Sequence, residues 1–197
     1  YPFVTSRKIT MNLLESFFET SISYEEDELK SYKTWNSNVK DEIYSAILED
    51  SDNLISESLA ANISLRSNDT ISVDKGLKII LNSLEDNKIQ LFDGSGLSRY
   101  NLIKPSSLVL ALEKIYQYLG PNRIKKVFPN NYIITGTEDF VWGKTGTLKN
   151  NHNYSGYIFT DKGRQYVFSI MINHFTDDLD IIKEAISDFL KYIKSNA

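Results

Sequence analysis

Three β-prone runs, near residues 140–146, 154–160 and 165–173, sit between a long stretch of helically spaced apolar residues and one final helical stripe. This order constrains the fold more than any other property, because period-two and period-3.6 patterns place apolar residues on incompatible surfaces. Asp161-Lys162-Gly163 supplies a turn between the last two runs, which predicts antiparallel pairing. Helices first, then an antiparallel meander, then a terminal helix predict an α+β fold with helices packed on an antiparallel sheet.

The helices can be placed from their stripes and caps. Ile9, Leu13, Leu14, Phe17 and Phe18 predict a helix over 8–20, with Phe17-Phe18 in a core. Residues 21–33 are acidic and mixed, as in a strand or loop. Ser37 suits the N-cap of a helix carrying Ile43, Ala46 and Ile47, which ends near Glu49-Asp50. A second helix starts near Ser51 or Asp52 and carries Leu54, Leu59 and Ile63. Ser72 caps a third, bearing Val73, Leu77, Ile80, Leu81 and Leu84. Two glycines make Phe92-Asp93-Gly94-Ser95-Gly96-Leu97 a loop. Pro105 opens the next helix and Gly120-Pro121 ends it. Thr176 caps the last, whose stripe of Ile181, Ile182, Ala185, Ile186, Phe189, Leu190 and Ile193 is expected to be buried.

The length of 197 residues fits one domain or a large part of one, and 41% hydrophobic content supports a core. A net charge of -4, with Lys and Arg scattered, gives no basic footprint for nucleic acid or a membrane surface. There is no cysteine, which excludes disulfides and thiol chemistry, and His152 and His174 are the only histidines. Both read as surface or packing residues, and no metal or organic cofactor is expected. No apolar run approaches the roughly 20 residues of a membrane span. The chain opens Tyr1-Pro2-Phe3, with no initiator Met or signal peptide, and the expectation is a segment of a longer or processed protein.

Two short motifs carry chemistry. Ser51-Asp52-Asn53 falls at a helix junction, where a rigid scaffold projects short polar side chains into a cleft. The competing reading is that Ser51 or Asp52 is an N-cap. Lys144-Thr145-Gly146, continued by Thr147-Leu148, falls on a strand that offers backbone groups to an extended peptide. There the Lys144 ammonium suits a carboxylate or a neighbouring hydroxyl, Thr145 and Thr147 suit a terminal carboxylate, and Gly146 clears space for substrate backbone. The competing reading is an exposed Lys beside a β-prone Thr and a bulge Gly.

In sequence, Ser51-Asp52-Asn53, Asp93-Gly94-Ser95-Gly96-Leu97-Ser98-Arg99-Tyr100-Asn101, Lys144-Thr145-Gly146-Thr147-Leu148 and Ser155-Gly156-Tyr157-Ile158 follow one another. This series resembles the serine-type D-Ala-D-Ala carboxypeptidase/endopeptidase family, the low-molecular-mass class C penicillin-binding proteins. The resemblance runs from about Ile9 to the final helix and matches the C-terminal part of that family's catalytic domain. It implies a β-lactamase/transpeptidase-like fold, with residues 1–197 as a partial domain. It implies an acyl-enzyme formed by the Ser of a Ser-x-x-Lys motif on peptidoglycan stem peptides ending in D-Ala-D-Ala, with β-lactams as inhibitors. Ser51 would join the proton relay, Asn53 would hold the substrate amide, and Lys144 would tune the relay. Thr145 and Thr147 would orient the terminal carboxylate. The Thr147 N–H would be one oxyanion-hole donor, a group whose loss typically costs about 2.7–4 kcal/mol. Asp93, Ser95 and Arg99 read as a loop bracing the site. The implied setting is periplasmic or otherwise extracytoplasmic in a bacterium.

The nucleophile has no convincing counterpart. Ser37-Asn38-Val39-Lys40 matches Ser-x-x-Lys, but it lies only one short helix before Ser51, in a polar, cap-like turn. Such a turn supplies neither a held base nor an oxyanion hole. An N-terminal half carrying Ser-x-x-Lys is therefore expected as a partner, and the isolated chain is expected to be inactive. It should expose an apolar sheet face and an unpaired edge. Gly136-Thr137-Glu138 sits close to Lys144, and Trp142-Gly143 replaces the small and basic residues usual before that Lys, so the cleft departs from the family pattern. The alternatives are a nucleophile-less binding module of the same fold, or another serine acyl-transfer enzyme such as a β-lactamase or esterase.

Overall fold

The computed structural model describes residues 7–24, 41–68, 70–84, 88–130 and 139–197. The chain divides into two compact units, residues 1–38 and 39–197. In the first, α1 spans Arg7–Phe18, and its end is tied by the Ile22 N–H donating to Glu15 Oε1 at 3.0 Å. Phe17 and Phe18, expected in a core, are instead 78% and 61% exposed, their rings meeting edge to face at 5.0 Å. Helical spacing marks the face a helix is able to bury; it does not supply the surface that buries it.

The second unit runs α2 (Asp41–Leu48), α3 (Asn53–Asn68), α4 (Val73–Leu84), α5 (Pro105–Val127), β1 (Val141–Leu148), β2 (Asn151–Phe159), β3 (Gln165–Asn173) and α6 (Leu179–Asn196). Gly76 lets α4 cross tightly over α3: a Cβ there would lie 1.8 Å from the Ala60 carbonyl oxygen. Ser72 caps α4 as expected, accepting from the Lys75 N–H. In α5 the expected stop at Gly120-Pro121 is a kink. Gly120 takes φ 72°, and Pro121, whose fixed φ suits a first helical turn, restarts the helix through Val127.

The sheet is antiparallel in the order β1-β2-β3. A two-residue turn, Lys149-Asn150, joins β1 to β2, with Asn150 at φ 61°. Both strands reach further toward this turn than the apolar pattern alone implied. Alternation gives the sheet two faces. Val141, Tyr154 and Ile158 pack with Phe140 against Ile186 and Leu190 of α6. Trp142 and Tyr157 pack on the opposite face with Leu112, Ile124, Val127 and Phe128 of the α5 region. The Tyr157 hydroxyl donates to the Leu112 carbonyl oxygen at 2.8 Å, so the only polar atom of that buried ring is satisfied.

Asp178 caps α6, its carboxylate accepting from the Asp180 N–H at 2.9 Å, two residues after the expected Thr176. A carboxylate at that point also meets the positive end of the helix dipole, which a hydroxyl does not. The α6 stripe is wider than the surface beneath it. Ile181 and Phe189, expected to be buried, are 58% and 54% exposed. Phe189 overhangs an open apolar trough of about 220 Å³ lined with Ile170, Ile172, Ala185 and Ile186. The outer edge of β3 pairs with no strand among the described residues, and that of β1 is bridged only at Trp142, by Asn130. Among the described residues, no helix is long and apolar enough to cross a membrane.

Candidate active site

The junction between α2 and α3 settles which residue is the cap. Asp52 Oδ1 accepts from the Ile55 N–H at 2.9 Å, and the Asp52 N–H donates back to the Ala46 carbonyl. Asp52 therefore caps α3 with its side chain and helps end α2 with its N–H, and the Ser51 side chain is left with no capping task. Ser51 holds a left-handed backbone, φ 57°, a conformation that disfavours any residue bearing a Cβ. Its hydroxyl accepts a 2.5 Å hydrogen bond from Lys144 Nζ, across 93 residues of sequence.

Lys144 extends from β1 on the same face as Trp142, half-buried, and burial pulls its ammonium below the usual lysine range. A charged donor on the Ser51 oxygen stabilises that oxygen when it gives up its proton. Asn53 is the first residue of α3, exposed, and its amide bonds to none of the described residues. Ser51, Lys144 and Asn53 thus lie at one place, where the start of α3 meets β1.

The free edge of β1 adds backbone groups. The Gly143 N–H points away from β2 to the Pro129 carbonyl at 2.9 Å, while the Phe159 N–H reaches the Phe140 carbonyl across the ladder. Antiparallel alternation then directs the N–H and C=O groups of Thr145 and Thr147 outward from the open edge. Gly146 shares the face of Lys144, and a Cβ there would meet nothing within 4 Å. No neighbour among the described residues requires glycine at that position; the result is a bare strip of backbone beside the ammonium. Thr145 is half-buried opposite Tyr154, and Thr147 is exposed opposite His152.

The loop after α4 seats on α3. A Cβ on Gly94 would lie 3.2 Å from the Ser56 carbonyl and 3.3 Å from the Ala60 side chain. Asp93 organises this loop, its carboxylate accepting from the Gly96 and Ser98 N–H groups at 2.7 Å and from the Asn101 amide at 2.9 Å. Burial pushes its pKa up, but the hydrogen bonds from Asn101, Gly96, Ser98 and Ser95 outweigh it and hold the carboxyl below its usual range. Ser95 Oγ also accepts from the Leu97 N–H. Arg99 is exposed and bonds to none of the described residues.

Two features escaped the sequence. Asp41, the first residue of α2, binds Arg123 at 2.8 Å and Lys126 at 2.9 Å, tying the start of α2 to the C-terminal part of α5. His152, read as surface or packing, is buried and 2.8 Å from Thr147 Oγ1 through Nδ1. The two-residue turn was the available signal, since it fixes Thr147 opposite His152. His174 is exposed, as expected. Ser37 and Lys40, and Gly136 to Glu138, lie outside the described residues.

The family model for D-Ala-D-Ala carboxypeptidase 3 (S13) matches residues 34–192. The penicillin-sensitive carboxypeptidase A of Dictyostelium discoideum is 30% identical over 124 residues, covering 53% of this chain and 24% of the relative. The D-alanyl-D-alanine carboxypeptidase DacB of Haemophilus influenzae is 31% identical over 106 residues, covering 46% of this chain and 21% of the relative. The crystal structure of penicillin-binding protein 4 from H. influenzae, complexed with a β-lactam, superposes with a TM-score of 0.67 at 24% identity, over 78% of this chain and 41% of that one. The chain thus spans about a quarter of the length of these curated relatives.

Proposed function

We propose, because this chain belongs to the D-Ala-D-Ala carboxypeptidase 3 (S13) family, that it is the C-terminal part of a serine-type D-Ala-D-Ala carboxypeptidase domain. It holds the relay and carboxylate-binding half of the site. The observation that carries this reading is the Lys144–Ser51 hydrogen bond beside an open strand edge, two elements far apart in sequence meeting at one polar point.

The nucleophile comes from a Ser-x-x-Lys segment outside these 197 residues. Its hydroxyl oxygen attacks the carbonyl of the penultimate D-Ala, the bond to the terminal D-Ala nitrogen breaks, and an acyl-enzyme forms. The proton leaves the attacking serine and reaches the departing amine through Ser51, whose oxygen Lys144 stabilises. The Thr147 N–H, directed outward from β1, stabilises the developing oxyanion. Asn53 holds the substrate amide, and Thr145 and Thr147 orient the terminal carboxylate. Water then hydrolyses the ester. The substrates are peptidoglycan stem peptides ending in D-Ala-D-Ala, the setting is extracytoplasmic, and the 197-residue chain alone is inactive.

Intact-mass measurement after incubation with a β-lactam tests this on the longest natural form of the protein and on this chain. An adduct on the long form alone is expected. No adduct on the long form overturns the enzyme reading in favour of a binding module. An adduct at Ser37 of the short chain overturns the assignment of the nucleophile to another segment.

A further inference from the structure

His152 has no part in the reaction as drawn, yet its surroundings are specific. It is 1% exposed on β2, the cross-strand neighbour of Thr147 over the Lys149-Asn150 turn. Nδ1 lies 2.8 Å from Thr147 Oγ1, while Nε2 is buried and meets no hydrogen-bond partner among the described residues. Burial, aided by the nearby Lys183 charge on α6, lowers the ring's pKa and keeps it neutral. A neutral imidazole carries one N–H, and the two nitrogens are unequal places for it. A proton on Nε2 would bury a donor with nothing to receive it, the rarer kind of orphan in folded proteins. A proton on Nδ1 donates to Thr147 and leaves only a bare lone pair at Nε2.

We propose that His152 is a positioning residue whose Nδ1–H occupies a lone pair of Thr147 Oγ1, so that the Thr147 hydroxyl hydrogen is presented to the substrate's terminal carboxylate. This rests on the carboxylate-binding role given to Thr147 above. A hydroxyl on an open edge otherwise rotates freely and presents a lone pair as readily as its hydrogen. With one lone pair engaged from below, the hydroxyl is biased toward donating outward. The site then selects an anionic acceptor, a free C-terminal carboxylate, over an esterified or amidated terminus.

Two measurements test it. Long-range proton–nitrogen NMR on the nitrogen-15-labelled chain should show a neutral His152 with the proton on Nδ1; an Nε2–H tautomer overturns the inference. In the longest natural form, acylation is compared for a β-lactam bearing its free carboxylate and for the methyl ester of the same compound. His152→Leu should slow acylation by the acid about fivefold to tenfold, the worth of one hydrogen bond, and leave the ester nearly unaffected. His152→Asn, which keeps an N–H donor near the Nδ1 position, should recover much of that loss. His152→Leu added to Thr147→Ala should cost nothing further. Equal losses for acid and ester, or no loss in a wild type that does acylate, overturn the inference alone. A wild type that acylates with neither compound overturns the functional reading and the inference together.

Discussion

At the β1 edge, the peptide groups of Thr145 and Thr147 point outward beside the Lys144 ammonium and the Ser51 hydroxyl, whereas the β3 edge is flanked by Ile170, Ile172 and Phe189. Among the described residues both edges offer unpaired backbone, β1 beyond its bridge at Trp142, and unpaired backbone by itself invites any strand. The side chains around them decide what can be accepted. A lysine charge beside the β1 edge disfavours a long apolar strand. The trough along β3 holds no charge to discourage apolar cover. One sheet therefore carries a polar edge and an apolar edge, told apart by a handful of residues.

Removing the polar partner at β1 should give the largest effect. Ser51→Gly takes the hydroxyl from Lys144 and relieves the left-handed strain. Acylation of the longest natural form by a β-lactam should slow on the order of 100-fold. Stability should move the other way, by about 0.5 kcal/mol upward. A left-handed L-residue costs roughly 1–2 kcal/mol, against about 0.5–1 kcal/mol of added chain entropy for glycine. Denaturant unfolding measured beside the acylation kinetics checks this. A parallel loss of activity and stability would mean that Ser51 is structural and the polar edge no site at all.

A charge at each edge sharpens the contrast. Phe189→Lys should lower binding of an apolar fluorescent dye to this chain, while Thr147→Lys leaves it unchanged. Equal responses would erase the distinction between the edges.

The smallest effect concerns the loop after α4, which packs on α3. The folded-state pKa of Asp93 is depressed, so its carboxylate stabilises the fold fully above the unfolded value. That contribution is lost as pH falls through the lower, folded value, because the unfolded chain takes up the proton first. Urea midpoints measured at and below the ordinary carboxylate range should therefore fall less steeply with acid in Asp93→Asn. An unchanged slope would mean that the carboxylate's hydrogen bonds do not stabilise the loop.

The elements were legible where pattern and punctuation agreed: Ser72 at α4, Asp161-Lys162-Gly163 between β2 and β3, and the alternation along 165–173. The meeting of Ser51 with Lys144 was foreseeable only because two short motifs occurred together, since neither contains information about the other's position. The sequence left Ser51 and Asp52 as equal candidates for the cap, and only the folded junction shows that Asp52 takes it. Phe17-Phe18 and Phe189 were misread for one reason: an apolar stripe states a capacity for burial, and burial depends on what lies opposite. Gly120-Pro121 signalled an interruption correctly without saying that the helix would resume. His152 was hidden because its partner is set by strand register, which depends on the length of a turn.

That turn is a ruler. Side chains alternate across a sheet, so one residue added at Lys149-Asn150, if absorbed as a register slip of β2, would swing His152 off the face it shares with Thr147 and Tyr154 out of the core beneath α6. Growth that leaves the register untouched, as an outward-bulging loop, would spare both. The hairpin tip is thus open to elaboration in reach so long as the register of β2 against β1 is kept, a rule that any swap of this loop between relatives or engineered versions has to obey.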